Sequence, residues 1–350
     1  MNMHTNRSRR RGGFTLVELL TVIFIIGVLI AILVPSLNAA RRSAKTASSS
    51  AIVRSIGTGL EMFKNDHDKD HQRTNGYPPS FVHPILLDRN GVPVFTAQDG
   101  AEGRYPYIQQ KPRVYGAHLL PLMLMGADLN GYIRPGSVPE DRRNKPWEWY
   151  LPDPTTGQLL DRSTLYLDPS KTRMTATENL PGFAPTDSSL FPNWDQMKQL
   201  PVLLDAFDTP ILYYASNRGA STRNLVEDVH KLDNNYADEG GPPFYFHQDN
   251  RGFTGYAMNP SGSDLREGWN FGKGGDHRIA AIGHLLTADD LHDFPETFAH
   301  WVHDEGAHEA TENQSGNAPK PLRAKNADSF ILVSPGADQL YGTPDDVTNF

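Results

Sequence analysis

Four histidines lie among carboxylates in residues 292–309, HDFPETFAHWVHDEGAHE. His300 and His303 are three residues apart, so on a helix they would share one face and could hold zinc or iron. The His-Glu-x-x-His spacing that zinc hydrolases use is not present. We therefore favour histidines scattered on an acidic surface helix over an exported metal hydrolase built around His292, His300, His303 and His308.

The remaining composition argues against catalysis and against nucleic-acid binding. The chain has no cysteine, so it offers neither a thiol nucleophile nor a disulfide, and it has no Gly-x-Ser-x-Gly nucleophile turn. With 33 Lys and Arg against 41 Asp and Glu, the net charge is −8. No basic stripe is present that could neutralise phosphates. The sequence predicts a protein that is not an enzyme and does not bind nucleic acid.

Three aspartates surround glycine turns near the C-terminus, in residues 334–347, SPGADQLYGTPDDV. Calcium takes six to eight oxygen ligands, and carboxylates together with backbone carbonyls can supply them around a tight turn. Asp338 and Asp345 are the favoured ligands, with Asp346 as a further candidate. The alternative is a set of solvated turn carboxylates.

A largely apolar run of 21 residues, from Phe14 to Val34, is long enough to span a bilayer. Glu18 is its only charge, and a carboxylate in a membrane is costly unless it is paired. Basic residues on the N-terminal side predict a cytoplasmic N-terminus; those beyond the run weaken this bias without reversing it. The two groups are Arg7, Arg9, Arg10 and Arg11, and Arg41, Arg42 and Lys45.

The start of this run, RRGGFTLVELL, resembles the N-terminal signal of type IV pilins and type II secretion pseudopilins. The resemblance implies that prepilin peptidase cleaves between Gly13 and Phe14 and that Phe14 is N-methylated. It also implies that Glu18 pairs with the Phe14 amine of a neighbouring subunit during assembly. Pro35 stands where the family has a helix-bending proline. The alternatives are a plain signal anchor with an incidental Glu18, and a proline that ends the helix at the membrane edge.

Two later segments resemble the same family. Residues 203–214, LLDAFDTPILYY, resemble a sheet segment of the pseudopilins, with Asp208 at a position where glycine is usual. Residues 334–347 resemble the C-terminal loop of major pseudopilins, which binds calcium, with Gln339 in place of a glycine. Calcium is therefore the one cofactor that we expect.

The predicted fold class is α+β, and the resemblance implies a type IV pilin fold: a long hydrophobic helix packed on a small antiparallel β-sheet, with a large loop-rich insert. We divide the chain into a leader (1–13), the transmembrane and assembly half of the helix (14–36), its outer half (37–66) and a periplasmic head (67–350) with the insert at about 80–200. Further elements predicted from local patterns are helices at 116–127 and 284–310 and strands at 211–216, 244–247 and 329–334.

The resemblance implies a structural subunit that forms a periplasmic pseudopilus for type II protein secretion. Its partners would be further copies, other pseudopilins, prepilin peptidase and the inner-membrane secretion platform. The protein would cross the inner membrane once, with its head in the periplasm. The alternatives are a subunit of a type IV pilin-like surface filament and a membrane-anchored adhesion or binding protein.

Overall fold

The structure is a computed structural model. It describes residues 15–68, 71, 74–80, 86–87, 93–94, 115–134, 137–143, 150, 152–180, 200–220, 243–254, 277–280, 297–304 and 323–350. The chain divides into two compact units, Met1–Lys45 and Thr46–Phe350.

A single helix, α1 (Leu16–His67, 52 residues), begins in the first unit and ends in the second. Its first part is exposed and contains an 18-residue window of mean hydropathy 3.0. Among the described residues, α1 is the one helix long and apolar enough to cross a membrane. Pro35 lies inside α1 and does not end it, so the prediction of one helix over residues 14–66 is confirmed for its described part.

Within the second unit, the outer part of α1 buries one face against the sheet. Its buried residues recur at steps of three and four, which is the spacing of a single helical face. Leu60 and Phe63 are fully buried, and each such side chain contributes about 1.5–3 kcal/mol by leaving water. A hydrogen bond to a buried side chain of α1 adds to this packing, since the Ala206 N–H donates to Ser49 Oγ (3.1 Å). The buried residues are Ser49, Val53, Ile56, Gly59, Leu60, Phe63 and His67.

Three antiparallel strands form the central sheet: β5 (Leu212–Ala215), β6 (Phe330–Ser334) and β7 (Val347–Thr348). Two further antiparallel pairs join β1 (Leu86–Leu87) to β2 (Pro93–Val94) and β3 (Met174–Ala176) to β4 (Pro201–Leu203). Every residue of β5 and β6 is buried. Because alternate residues face opposite sides of a strand, both faces of this sheet are covered, and the two strands are continuous apolar runs.

The two faces of the sheet belong to two cores. Tyr213, Ala215, Phe330 and Leu332 pack in the core that includes α1. Their neighbours along the strands pack in a second core with short helices from the C-terminal half; they are Leu212, Tyr214, Ile331 and Val333. These observations confirm an α+β fold with a long N-terminal helix on small antiparallel sheets.

A buried helix, α2 (Gly116–Met125), contributes to both cores, although it lies inside the range 80–200 that the sequence predicted as an insert. Its first turn is held by Asn250, whose Oδ1 accepts from the Ala117 N–H (2.9 Å) and whose Nδ2 donates to the Tyr213 carbonyl (2.8 Å). A Cβ on Gly116 would lie 2.2 Å from the same carbonyl, so only glycine fits there. The segment 152–173 of the range has no helix or strand.

The other described elements are short. They are the helices α3 (Glu140–Arg143), α4 (Arg251–Thr254) and α5 (Phe298–Val302) and the 3-10 turns Thr177–Asn179, His247–Asn250 and Arg278–Ala280. The strands predicted at 211–216 and 329–334 are confirmed as β5 and β6. The strand predicted at 244–247 is wrong, because His247 begins a 3-10 turn. Within the helix predicted at 284–310 the structure describes residues 297–304, of which α5 is the helical part.

Candidate assembly and cation-binding sites

Glu18 lies in the first turn of α1 and forms a capping box with Thr15. The Thr15 N–H and hydroxyl both donate to Glu18 Oε2 (2.8 and 2.9 Å), and the Glu18 N–H donates to Thr15 Oγ1 (3.2 Å). This reciprocal pair satisfies backbone N–H groups that the first turn of a helix leaves without partners. Thr-x-x-Glu before an apolar run is the sequence signature of such a box, and we did not predict it.

The capping box shows how the Glu18 carboxylate is accommodated within one chain. Both hydrogen bonds from Thr15 fall on Oε2, and the helix N-terminus adds a favourable dipole for a negative charge. Gly13 and Phe14, which we predicted as the cleavage and methylation site, lie outside the described residues. Glu18 therefore has an intrachain partner that a neighbouring amine would have to replace or share.

From Leu16 to Leu37, large apolar side chains are exposed on every side of the helix around and beyond Glu18. In the first unit of the chain, side chains as large as Leu16 and Phe24 are 78% and 68% exposed. An exposed apolar surface of this extent indicates a lipid environment or contact with other chains. Pro35 lies near the end of this surface, inside the helix. The exposed large side chains are Leu16, Val17, Leu19, Leu20, Val22, Ile23, Phe24, Ile25, Ile26, Val28, Leu29, Ile30, Ile32, Leu33, Val34 and Leu37.

The three aspartates that we predicted as calcium ligands lie together in the loop between β6 and β7. Asp345 Oδ2 accepts from the N–H groups of Ala337 (2.9 Å) and Asp338 (3.2 Å), and its Oδ1 accepts from Thr343 Oγ1 (2.7 Å). Asp338 Oδ1 accepts from the Leu340 N–H (2.8 Å). The carboxylates of the loop thus accept hydrogen bonds from other groups of the same loop and stabilise its turns.

Asp346, which follows Asp345, is the most enclosed of the three. Its Oδ2 accepts from the Gly342 N–H (2.8 Å), whereas its Oδ1 is shut off from solvent and has no hydrogen-bond partner among the described residues. Burial, together with the nearby charges of Asp338 and Asp345, raises the pKa of Asp346 to about 8. Within the described part of the chain, no ion pair therefore supplies a counter-charge to the ionised Asp346 side chain.

The other two carboxylates are coupled to each other. Burial raises the pKa of Asp338, and the adjacent Asp345 carboxylate raises it further. For Asp345, hydrogen bonds from Thr343 and the loop backbone outweigh burial and lower the pKa. Three neighbouring carboxyl groups, together with an Asp346 Oδ1 that has no hydrogen-bond partner among the described residues, are of the ligand type that a hard cation prefers. Still, no group of three or more His, Asp or Glu side chains in the described part of the chain is already arranged to hold a metal ion.

Two residues that stand in place of family glycines adopt the backbone conformation that glycine favours. Asp208 and Gln339 have φ values of 66° and 63°. Gln339 Nε2 donates to the Phe207 carbonyl (3.1 Å), and Asp208 forms an ion pair with Arg173. These two side-chain contacts therefore stabilise residues other than glycine in a backbone conformation that glycine favours.

The histidine segment does not form a described metal site. Thr297 caps α5 by accepting from the His300 N–H (3.2 Å), and His303 pairs with Ala324 in an isolated antiparallel bridge. His303 is 4% exposed, so the interpretation as a surface histidine is wrong at this position. His292 and His308 lie outside the described residues.

Comparison with known proteins yields two matches. The family described as the prokaryotic N-terminal methylation motif matches residues 8–34, which include Gly13, Phe14 and Glu18. The chain is also similar to the type II secretion system core protein G of Pseudomonas aeruginosa, with 34% identity over 59 residues. The match covers 17% of this chain and 42% of the relative, so the chain spans less than half of the relative's length. No solved structure matches the chain.

Proposed function

We propose that this chain is a structural, non-enzymatic subunit of a type II secretion pseudopilus. The methylation motif at residues 8–34 carries the proposal, and the partial similarity to a core protein G supports a pseudopilin or type IV pilin-like role. The exposed apolar part of α1 supports it further, because such a helix can lie in the inner membrane and later pack against other subunits.

In the proposed sequence of events, prepilin peptidase cleaves between Gly13 and Phe14 on the cytoplasmic side of the inner membrane, and Phe14 becomes N-methylated. Cleavage creates an α-amino group on Phe14, one residue before Thr15 and four residues before Glu18. The Glu18 carboxylate then pairs with the Phe14 amine of a neighbouring copy, exchanging an intrachain hydrogen bond for a charged one. The apolar helices, each containing Pro35, pack together, and the periplasmic heads form the outside of the filament.

The partners in this proposal are further copies of the chain, other pseudopilins, prepilin peptidase and the inner-membrane secretion platform. The head, residues 67–350, would lie in the periplasm. Among the described residues, α1 is the one helix long and apolar enough to serve as an inner-membrane anchor.

Glu18→Gln separates the role of Glu18 in capping the start of α1 from its proposed role as the charged partner of a neighbouring amine. Glutamine is also a capping-box residue, so the variant should keep the start of α1 while losing the negative charge. We expect normal processing by co-expressed prepilin peptidase and a loss of sedimentable polymer. Gly13→Val is the matched control for processing, and it should leave the leader attached. Wild-type amounts of polymer from the Glu18→Gln chain would contradict charge pairing as the basis of assembly.

We also propose that the loop between β6 and β7 binds calcium. Asp338 and Asp345 would supply ligands, and the orphaned Oδ1 of Asp346 would gain a partner. The ion would supply the positive charge that three crowded carboxylates lack. It would stabilise the loop that joins two strands of the central sheet.

Calcium titration of the detergent-solubilised full chain tests this proposal. A ligand present at a hundredfold excess over its Kd stabilises the folded state by about 2.7 kcal/mol, which corresponds to a rise in Tm of several degrees. Asp338→Asn should abolish the rise, whereas Glu140→Gln, which removes an exposed carboxylate in α3, should retain it. The same Tm in calcium and in excess chelator would contradict the proposal.

A further inference from the structure

Three basic residues, Arg41, Arg42 and Lys45, follow the apolar part of α1 and are exposed. We refer to them as the basic collar. Arg41 and Lys45 are four residues apart and so share a face of the helix, and Arg42 is offset from Arg41 by about 100°. The collar therefore presents its three charges within roughly one third of the helix circumference. It ends at Lys45, the last residue of the N-terminal unit.

The position of the collar along the helix matches a layer of lipid headgroups. From Leu16 to Leu37 the helix rises about 32 Å, close to the roughly 30 Å of a hydrocarbon core. Arg41 lies about 6 Å and Lys45 about 12 Å beyond Leu37. A headgroup layer is about 5–8 Å thick, so Arg41 lies within it. Lys45 lies about 5 Å outside the layer, a distance that its long side chain can span to bring its charge back to the phosphates.

The charge distribution along the chain favours lipid phosphate over a second copy as the partner. No Asp or Glu occurs between Glu18 and Glu61, so a parallel helix at the same depth offers the collar no carboxylate. Residues 46–350 carry 26 Lys and Arg against 40 Asp and Glu, a net charge of −14. An anionic bilayer repels such a head and attracts basic residues at its surface.

We propose that the basic collar binds the phosphate groups of anionic phospholipids in the leaflet that faces the head, and that this contact sets the depth of α1 in the membrane. The proposal rests on the proposed membrane insertion of α1. It adds a lipid partner for residues outside the methylation motif at 8–34 and outside the Glu18 pairing.

Electron spin resonance with spin-labelled lipids tests the proposal on the full chain in phosphatidylcholine vesicles. The protein-restricted component should favour spin-labelled phosphatidylglycerol over spin-labelled phosphatidylcholine by about fivefold, the factor that roughly 1 kcal/mol from one engaged cation provides. The triple variant Arg41→Gln, Arg42→Gln, Lys45→Gln should lower the ratio severalfold, to the preference that the arginines before the apolar run provide. These are Arg7, Arg9, Arg10 and Arg11. Arg54→Gln is the matched control, because Arg54 is an exposed cation of the same helix outside the collar and its loss should leave the preference unchanged.

Each other outcome overturns the proposal in a recognisable way. The wild-type chain could restrict both lipids equally, or the triple variant could keep the wild-type preference. Either result would refute binding of anionic lipid by the collar but would leave membrane insertion of α1 intact. No restricted lipid of either kind overturns insertion as well. If the wild-type chain shows no lipid preference but the triple variant loses self-association in the vesicles, the partner of the collar is a second copy.

Discussion

Acid should destabilise the head through His118, a buried histidine in α2. Its Nδ1 accepts from the Tyr115 N–H (3.2 Å), and its Nε2 lies 3.0 Å from Thr177 Oγ1. The Thr177 hydroxyl donates to the Leu200 carbonyl (2.9 Å), so its oxygen is left to accept from Nε2–H. This network assigns a neutral imidazole protonated on Nε2. Burial lowers the pKa of His118 to about 3.

The sign of the effect follows from proton linkage. In the unfolded chain the pKa of a histidine is about 6.5, so below that pH the unfolded state takes up a proton that the folded state refuses until about pH 3. The free energy of unfolding therefore falls by up to about 1.4 kcal/mol per pH unit across this window. Between pH 7.5 and pH 5.0 the loss from His118 amounts to about 2 kcal/mol.

Urea unfolding of the full chain in detergent at these two pH values measures the loss. Glutamine can accept and donate hydrogen bonds but does not titrate, so His118→Gln should reduce the pH-dependent loss by about 2 kcal/mol. Thr177→Val is the control: it removes the partner of Nε2 but leaves the titrating group in place. The control should be less stable at both pH values, by about 1–3 kcal/mol, with the pH difference retained. If His118→Gln and the wild-type chain lose the same free energy on acidification, the reasoning is refuted.

Two further predictions concern backbone positions and use the same unfolding assay. A Cβ at Gly57 meets only Phe330 at 3.9 Å, whereas one at Gly59 would lie 2.9 Å from the Tyr166 carbonyl. Gly57→Ala should therefore raise the free energy of unfolding by about 0.5–1 kcal/mol, because alanine has the higher helix propensity. Gly59→Ala should lower it by about 1–3 kcal/mol, because the added methyl group overpacks the core. Equal changes in the two variants would contradict this prediction. Gln339→Ala should cost about 1 kcal/mol by losing its bond to Phe207, and Gln339→Gly should cost less, because φ is 63° there. A glycine variant less stable than the alanine variant would contradict the second prediction.

The elements that could be predicted from sequence are those specified by local pattern. The apolar run that begins α1 needs no tertiary context, because its length and composition indicate a spanning helix. The strands β5 and β6 are apolar runs bounded by turn residues, and both faces of each are buried in the structure. The Thr15–Glu18 capping box is likewise a local pattern, Thr-x-x-Glu before an apolar run, and so belongs to the features that sequence alone can predict.

The features that could not be predicted depend on long-range contacts. The aromatic residues Phe244, Tyr245 and Phe246 favour a strand by propensity, yet Tyr245 donates to the Lys325 and Asn326 carbonyls and a 3-10 turn follows. Asn250, 133 residues away from Ala117, holds the start of α2. No local pattern encodes such a pairing.

His303 illustrates the same limit in the candidate sites. The sequence pattern of a histidine among acidic residues predicts an exposed side chain. His303 is instead buried at the end of α5, where it pairs with Ala324, 21 residues later in the chain. For the C-terminal loop, the sequence predicted which aspartates would lie together. It did not predict that Gln339 would adopt a glycine-like conformation, because the compensating hydrogen bond goes to Phe207, far away in the chain.

The mass of the mature N-terminal peptide, measured from cells that co-express prepilin peptidase, tests the central claim most directly. The account predicts a chain that begins at Phe14, carries one added methyl group and retains the whole of α1. A mature chain that still carries Gly13, or one that begins beyond Leu37, would contradict it.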